Sequence, residues 1–243
     1  MPRNKIPNFE VCVDSAQGIE ACVGLVDRIE LCSALDIGGL TPSAGLMECA
    51  KASGLETHVL IRPAGGDFFM TRSDLDVALA DIEQVKKIGL DGVVIGAAID
   101  GHLDTEVLRE MAAASAGLKL TLHRAFDVVE NQAKALEDAI THGFQRVLTS
   151  GGASSAPLAL KRLAELVEQS NARIEIMAGG GITLENVDEL LSQTGVHAIH
   201  SSCSSERTLA DPLAQKGFGE VARLTDIEKV REMRDRILSM FPS

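Results

Sequence analysis

A chain of 243 residues, 45% apolar and 24% charged, can bury one large core, and α/β barrels occupy about 200–250 residues as a single domain. Its formal charge of −12, with no basic stripe, excludes a general nucleic-acid or anionic-membrane binder. No apolar run approaches the roughly 18 residues of a membrane span, and the first strand-like run begins near Phe9, so no signal peptide and a cytoplasmic location are expected. Five scattered cysteines read as free thiols rather than a disulfide framework. With seven Phe and no Trp or Tyr, the interior falls to Val, Ile, Leu and Ala, which suits buried parallel strands.

Taken in order, strand-like and helical runs alternate eight times. The strands are expected at Asn8–Asp14, Arg28–Cys32, Thr57–Arg62, Gly92–Gly96, Leu118–Arg124, Arg146–Ser150, Arg173–Ala178 and Ala198–Ser201. Helices are expected at Ser15–Gly24, Pro42–Ser53, Ser73–Ile88, Thr105–Ala114, Asn131–His142, Ala156–Gln169 and Leu184–Ser192. Thr41 is the expected cap of the second, with Pro42 in its first turn. A long connection, 203–224, carries Pro212, Gly217 and Gly219 and reads as a lid or an oligomer contact. The last helix, 225–240, opens with the capping-box pattern Thr225-Asp226-Ile227-Glu228. Eight β-then-α units without a linker predict one domain over 1–243, an α/β protein built as a single (β/α)8 TIM barrel. An open doubly wound sheet is the alternative, but no Gly-x-Gly-x-x-Gly follows the first strand, and no nucleotide cofactor is expected.

In such a barrel chemistry collects at the C-terminal strand ends, and these ends are unusually polar here. Strand one offers Glu10 and Cys12, strand two Glu30 and Cys32, each pair two residues apart and so on one face. Thiolates suit Cu(I) or zinc, although cysteine also serves as a small apolar filler. Strand three ends in Arg62, with Asp67 after a Pro-Ala-Gly-Gly turn. Arg62 can grip a carboxylate or phosphate, or neutralise Glu10 or Glu30. Strand five delivers His123, Arg124 and Asp127, a base, a cation and a carboxylate, unless Arg124 and Asp127 simply pair. Strand six ends in Ser150-Gly151, strand seven in Gly179-Gly180-Gly181 and strand eight in His200-Ser201. Glycine turns with outward N–H groups hold anions around strands seven and eight of many barrels, and they also serve as tight turns. Cys22 and Cys49 read as packing, and His58 as core.

Phe9-Glu10-Val11-Cys12-Val13-Asp14-Ser15, Asp27 to Cys32, Gly38 to Ser43, Ile61-Arg62-Pro63 with Gly65-Gly66-Asp67-Phe68, and Thr121 to Asp127 together resemble the copper homeostasis protein CutC family. Arg146 to Gly151, Met177 to Ile182 and His200-Ser201-Ser202 extend the resemblance in order from about Phe9 to Ser202. It implies a TIM barrel, a cytoplasmic location and a role in copper tolerance or trafficking, with Cys12 and Cys32 matching the residues to which Cu(I) binding is ascribed. Two departures are Ala64 in place of a second arginine in the Arg-Pro-Arg-Gly-Gly-Asp pattern, and an added thiol, Cys203, in a shortened segment.

Three functions follow as expectations. The first is Cu(I) binding through Cys12 and Cys32. The second is an enzyme, lyase- or isomerase-like, on a phosphorylated or carboxylated metabolite, with Arg62, Arg124 and the glycine loops holding the anion and Glu10, Glu30, His123 or Asp127 moving protons. The third is a non-catalytic scaffold. A homo-oligomer is expected from the way barrels pair through their helices.

Overall fold

Eight short Val- and Ile-rich runs form parallel strands that close in sequence order, each hydrogen-bonded to the next and the eighth to the first. The computed structural model describes residues 6–208, 216 and 221–242. The barrel strands are β1 (Asn8–Val13), β2 (Arg28–Leu31), β3 (Thr57–Leu60), β4 (Gly92–Ile95), β5 (Lys119–Leu122), β6 (Arg146–Thr149), β7 (Glu175–Gly179) and β8 (Ala198–Ser201). The helices are α1 (Ala16–Cys22), α2 (Ala44–Ser53), α3 (Arg72–Ile88), α4 (Thr105–Ala114), α5 (Gln132–Thr141), α6 (Leu160–Ser170), α7 (Val187–Thr194) and α8 (Ile227–Met240). Among the described residues no helix is long and apolar enough to cross a membrane.

Strand alternation divides the core. Val11, Ile29, Val59, Val93, Leu122, Val147, Ile176 and Ile199 belong to one large cluster shared with the helices. The opposite faces carry Glu10, Cys12, Arg28, Glu30, His58, Arg146 and His200, all buried. Among the described residues two small apolar groups interrupt these polar side chains: Cys12 with Cys32, Leu60 and Val94, and Leu148 with Met177 and Ala198. This barrel therefore holds an ionic network on its axis rather than the branched aliphatic layers usual for the fold.

Three local expectations need correction. The cap of α2 is Ser43, whose hydroxyl accepts from Leu46 N, because Thr41 is engaged by the turn after β3: its Oγ1 accepts from Arg62 N at 3.0 Å. The cap of α8 is Asp226, not Thr225, which closes an antiparallel ribbon of Ser204–Thr208 with Val221–Thr225. That ribbon occupies both ends of the stretch expected as a loop, while Pro212, Gly217 and Gly219 lie outside the described residues. A second small hairpin, Ala98–Ile99 with His102–Leu103, follows β4.

Glycine in the position after β4 is dictated by contact. A β-carbon on Gly96 would fall 2.4 Å from His123 Cε1 and 2.5 Å from its Nδ1. That ring is held by Ala125 N, which donates to Nδ1 at 3.1 Å, and by Phe68, whose centroid lies 5.0 Å away. Gly96→Ala is expected to destabilise by about 1–3 kcal/mol, as overpacking does, measured by chemical denaturation; an unchanged midpoint would show that the ring moves freely.

Candidate functional site

Strand register brings the chemistry together. In the β1–β8 pair Glu10 stands opposite His200, and in the β1–β2 pair Cys12 stands opposite Glu30 and Glu10 opposite Arg28. Neighbouring parallel strands lie about 4.8 Å apart, so inward side chains at one level must meet. His200 Nδ1 donates to Glu10 Oε1 at 2.8 Å, and its Nε2 lies 3.6 Å from Glu30 Oε2. Cys12 Sγ, one Glu30 oxygen and one His200 nitrogen all fall within 4.8 Å of one another. Gly179 makes room on this floor, since a β-carbon there would meet Leu148 Cδ1 at 2.5 Å and His200 Cβ at 3.2 Å.

Below the floor the network continues. Arg28 Nε binds the second oxygen of Glu10, and Arg28 NH2 reaches Glu175 at 3.6 Å. Arg146 binds Glu175 through Nε and donates to Thr121 Oγ1 at 3.0 Å, while its NH1 lies 3.3 Å from His58 Nδ1. Burial alone would raise the Glu10 carboxyl, but Arg28, His200 and Arg146 outweigh it and hold it far below the usual carboxylate range. At His200 burial works against charge, and Cys12, Glu10 and Glu30 overcome it, holding the imidazole well above the usual histidine range. Burial pushes the Glu30 carboxyl up against the pull of His200, with Glu10 adding to the rise. The Cys32 thiol is likewise driven well up by burial and the adjacent Glu30.

Above the floor opens a cleft of about 870 Å³, into which Cys12, Glu30 and His200 face. Of the other sequence-predicted residues its wall holds Arg62, His123, Arg124, Asp127, Gly180, Gly181 and Ser201, while Asp67, Ser150, Gly151 and Gly179 do not line it, and much of their bonding capacity is spent within the protein. Arg62 donates to the carbonyls of Ile37, Gly39 and Gly66 at 3.2, 2.9 and 2.7 Å, tying the turn after β2 to the turn after β3. Its guanidinium also lies over the Phe68 ring at 5.3 Å. The alternative in which Arg62 neutralises the floor carboxylates gives way to Arg28, two residues before Glu30 and on its face. Asp67 is exposed and caps its own turn through Phe69 N. His123 is pushed down to about 3 by burial and by Arg62, and so stays neutral.

Arg124 and Asp127 do pair, at 2.8 Å. Asp127 also accepts from Thr149 Oγ1 and from the backbone N–H of Ser150 and Gly152, so it clasps the loop that follows β6. Arg124 NH2 donates to Ser150 Oγ at 2.9 Å, and the guanidinium passes over Gly180, where a β-carbon would meet NH1 at 3.3 Å. Gly151, Gly180 and Gly181 have φ of 72°, 92° and 75°, a region that favours glycine. Ser201 Oγ donates to Ile182 O at 2.9 Å and accepts from Cys203 N.

Cys32 packs with Cys12 but is fully buried, its sulfur 3.6 Å from where a β-carbon on Gly39 would stand. The predicted residues thus separate into a floor of Glu10, Cys12, Glu30, Cys32 and His200, a wall of Arg62, His123, Arg124, Asp127, Gly180, Gly181 and Ser201, and Asp67, Ser150, Gly151 and Gly179 off the wall. Arg28, Arg146 and Glu175 escape sequence reading, although the two-residue spacing of Arg28 and Glu30 is the signal that finds the first.

The CutC family profile matches residues 8–205. A family protein CutC of Rhizobium meliloti (strain 1021) is 48% identical, the match covering 95% of this chain and 96% of that protein. The copper homeostasis protein cutC homolog of Homo sapiens is 42% identical, covering 93% and 87%. Among solved structures, CutC from Streptococcus agalactiae superposes with a TM-score of 0.77 at 33% identity, covering 81% of this chain and 98% of that one. The chain belongs to the CutC family, a family of copper homeostasis proteins.

Proposed function

We propose that this chain binds Cu(I) as cargo in the cytoplasm, with Cys12 and Cys32 as its sulfur ligands. The observation that carries this is the packing of both residues in one small buried cluster with Leu60 and Val94, Cys12 opening on the cleft. Cu(I) favours soft thiolates over the harder Glu30 carboxylate beside them. Five free cysteines fit a reducing compartment. The names of the human and streptococcal relatives support a copper role.

Anaerobic Cu(I) titration against a strong chelator is expected to give one equivalent. The Cys12→Ser/Cys32→Ser variant should lose more than the roughly 10–100-fold that outer-shell changes cost. Equal, weak binding in both proteins would remove these residues as the site.

A second reading, acid–base chemistry on a phosphorylated or carboxylated metabolite, is favoured by one feature. The Glu10–His200 pair sits on the floor of a cleft large enough for such a molecule, with Arg124 on its wall.

A further inference from the structure

We propose that Cys12, Glu30 and His200 form a separate site for a borderline divalent cation, Zn²⁺, sharing only Cys12 with the Cu(I) reading. Their donor atoms already lie within 4.8 Å of one another, and the three residues are 7%, 5% and 8% exposed. Zinc–ligand bonds of about 2.0–2.3 Å place donors roughly 3.3–3.8 Å apart around a tetrahedral ion, so small side-chain rotations close the site.

The donor set selects the ion. One sulfur, one imidazole nitrogen and one carboxylate oxygen suit a borderline cation, whereas Cu(I) gains little from the hard carboxylate. The surroundings are those of a metal centre. A ligating histidine usually donates its second ring N–H to a carboxylate, and His200 Nδ1 donates to Glu10 at 2.8 Å, which turns Nε2 toward Glu30 and the cleft. Glu10 is in turn bound by Arg28, which fixes the orienting carboxylate. Glu30 differs. Among the described residues no lysine or arginine pairs with it, and its charged neighbour is His200. A metal ion held between His200 Nε2 and Glu30 would take the place of that pair, at the imidazole nitrogen and the carboxylate oxygen already turned toward each other.

All three ligands sit on barrel strands, at β1, β2 and β8, so the site is set by register rather than by loops. Three protein ligands leave a fourth position, and the cleft lies on that side. Structural zinc sites are closed by four protein ligands, whereas an open position is the mark of a centre that polarises a bound molecule. The ligand class for that position is a small oxygen donor, such as a carboxylate or carbonyl, that the cleft admits.

The test uses the reduced full-length protein without oxygen, titrated with Zn²⁺ against a chromophoric chelator, and with Co²⁺ as a spectroscopic substitute. The expected result is one equivalent of Zn²⁺, weakened at least tenfold by His200→Gln and by Glu30→Gln, with a Co²⁺ spectrum showing a single-thiolate charge-transfer band that Cys12→Ser abolishes. Cys32→Ser, which removes the two-sulfur Cu(I) site, is expected to retain Zn²⁺, so failure of the copper reading leaves this result intact. Wild-type binding no tighter than that of Cys12→Ser overturns the proposal. So does a loss in Cys32→Ser as large as in Cys12→Ser. Folding of each variant is checked by far-ultraviolet circular dichroism. Should a variant not fold, the wild-type Co²⁺ band decides: the intensity of one thiolate supports the site, and that of two overturns it.

Discussion

Replacing Arg28 with methionine is expected to lower folding stability by about 3–5 kcal/mol, because it leaves a buried carboxylate without its main partner. Glu10 is fully buried, and of the charges around it Arg28 acts most strongly. Removing both partners together, as Glu10→Leu with Arg28→Met, should recover most of the loss, since an apolar pair of similar volume avoids the desolvation penalty. The chain has no Trp or Tyr, so unfolding in urea is followed by far-ultraviolet circular dichroism. The pH dependence has a defined sign. The folded-state pKa of Glu10 lies below its ordinary value of 4.5, so its contribution is present above pH 4.5 and is lost as pH falls through the folded value. His200 acts oppositely. Its folded-state pKa lies well above 6.5, so its contribution is complete below pH 6.5 and is lost as pH rises through the folded value. Stability should therefore peak in mildly acidic solution, and Arg28→Met should flatten the acid limb. A variant as stable as the wild type, with the same acid limb, would show that Glu10 is not charged in the native protein.

The barrel is legible in the sequence because eight Val- and Ile-rich runs alternate with capped amphipathic runs, and one closed architecture satisfies that pattern. The floor is partly legible for the same reason: Glu10 with Cys12, and Glu30 with Cys32, are two apart and must share a face. What sequence spacing does not carry is register between strands. Arg28 meets Glu10, and Glu10 meets His200, only because β1 pairs with β2 on one side and β8 on the other, across sequence separations of 18 and 190. Nor does spacing disclose which polar groups a loop consumes. Arg62 reads as an anion clamp, yet its donors meet three backbone carbonyls that the turns leave unpaired, and a buried carbonyl without a partner is costly.

Asp127 poses the sharpest contrast between those two kinds of reading. At a strand end beside His123 and Arg124 it has the position of a general base, but a base needs a free lone pair directed at substrate. Its two oxygens accept from Arg124 Nε, Thr149 Oγ1, Ser150 N and Gly152 N, and only 6% of the side chain is exposed. Asp127→Ala is therefore expected to cost about 2–4 kcal/mol, because the buried Ser150 N–H and Thr149 hydroxyl lose their acceptor, while the half-exposed Arg124 keeps Ser150 Oγ. The damage should spread along the loop after β6, where Gly151 at φ 72° has a β-carbon position only 2.7 Å from Ala159 Cβ and cannot readily settle elsewhere. Asp127→Asn retains the shape and one acceptor, and should cost about 1–3 kcal/mol. Amide hydrogen exchange at Ser150 and Gly152 separates the two roles. Faster exchange in both variants, ordered Ala above Asn, follows from a clasp, whereas unchanged protection in Asp127→Ala would free this carboxylate for proton transfer at the mouth.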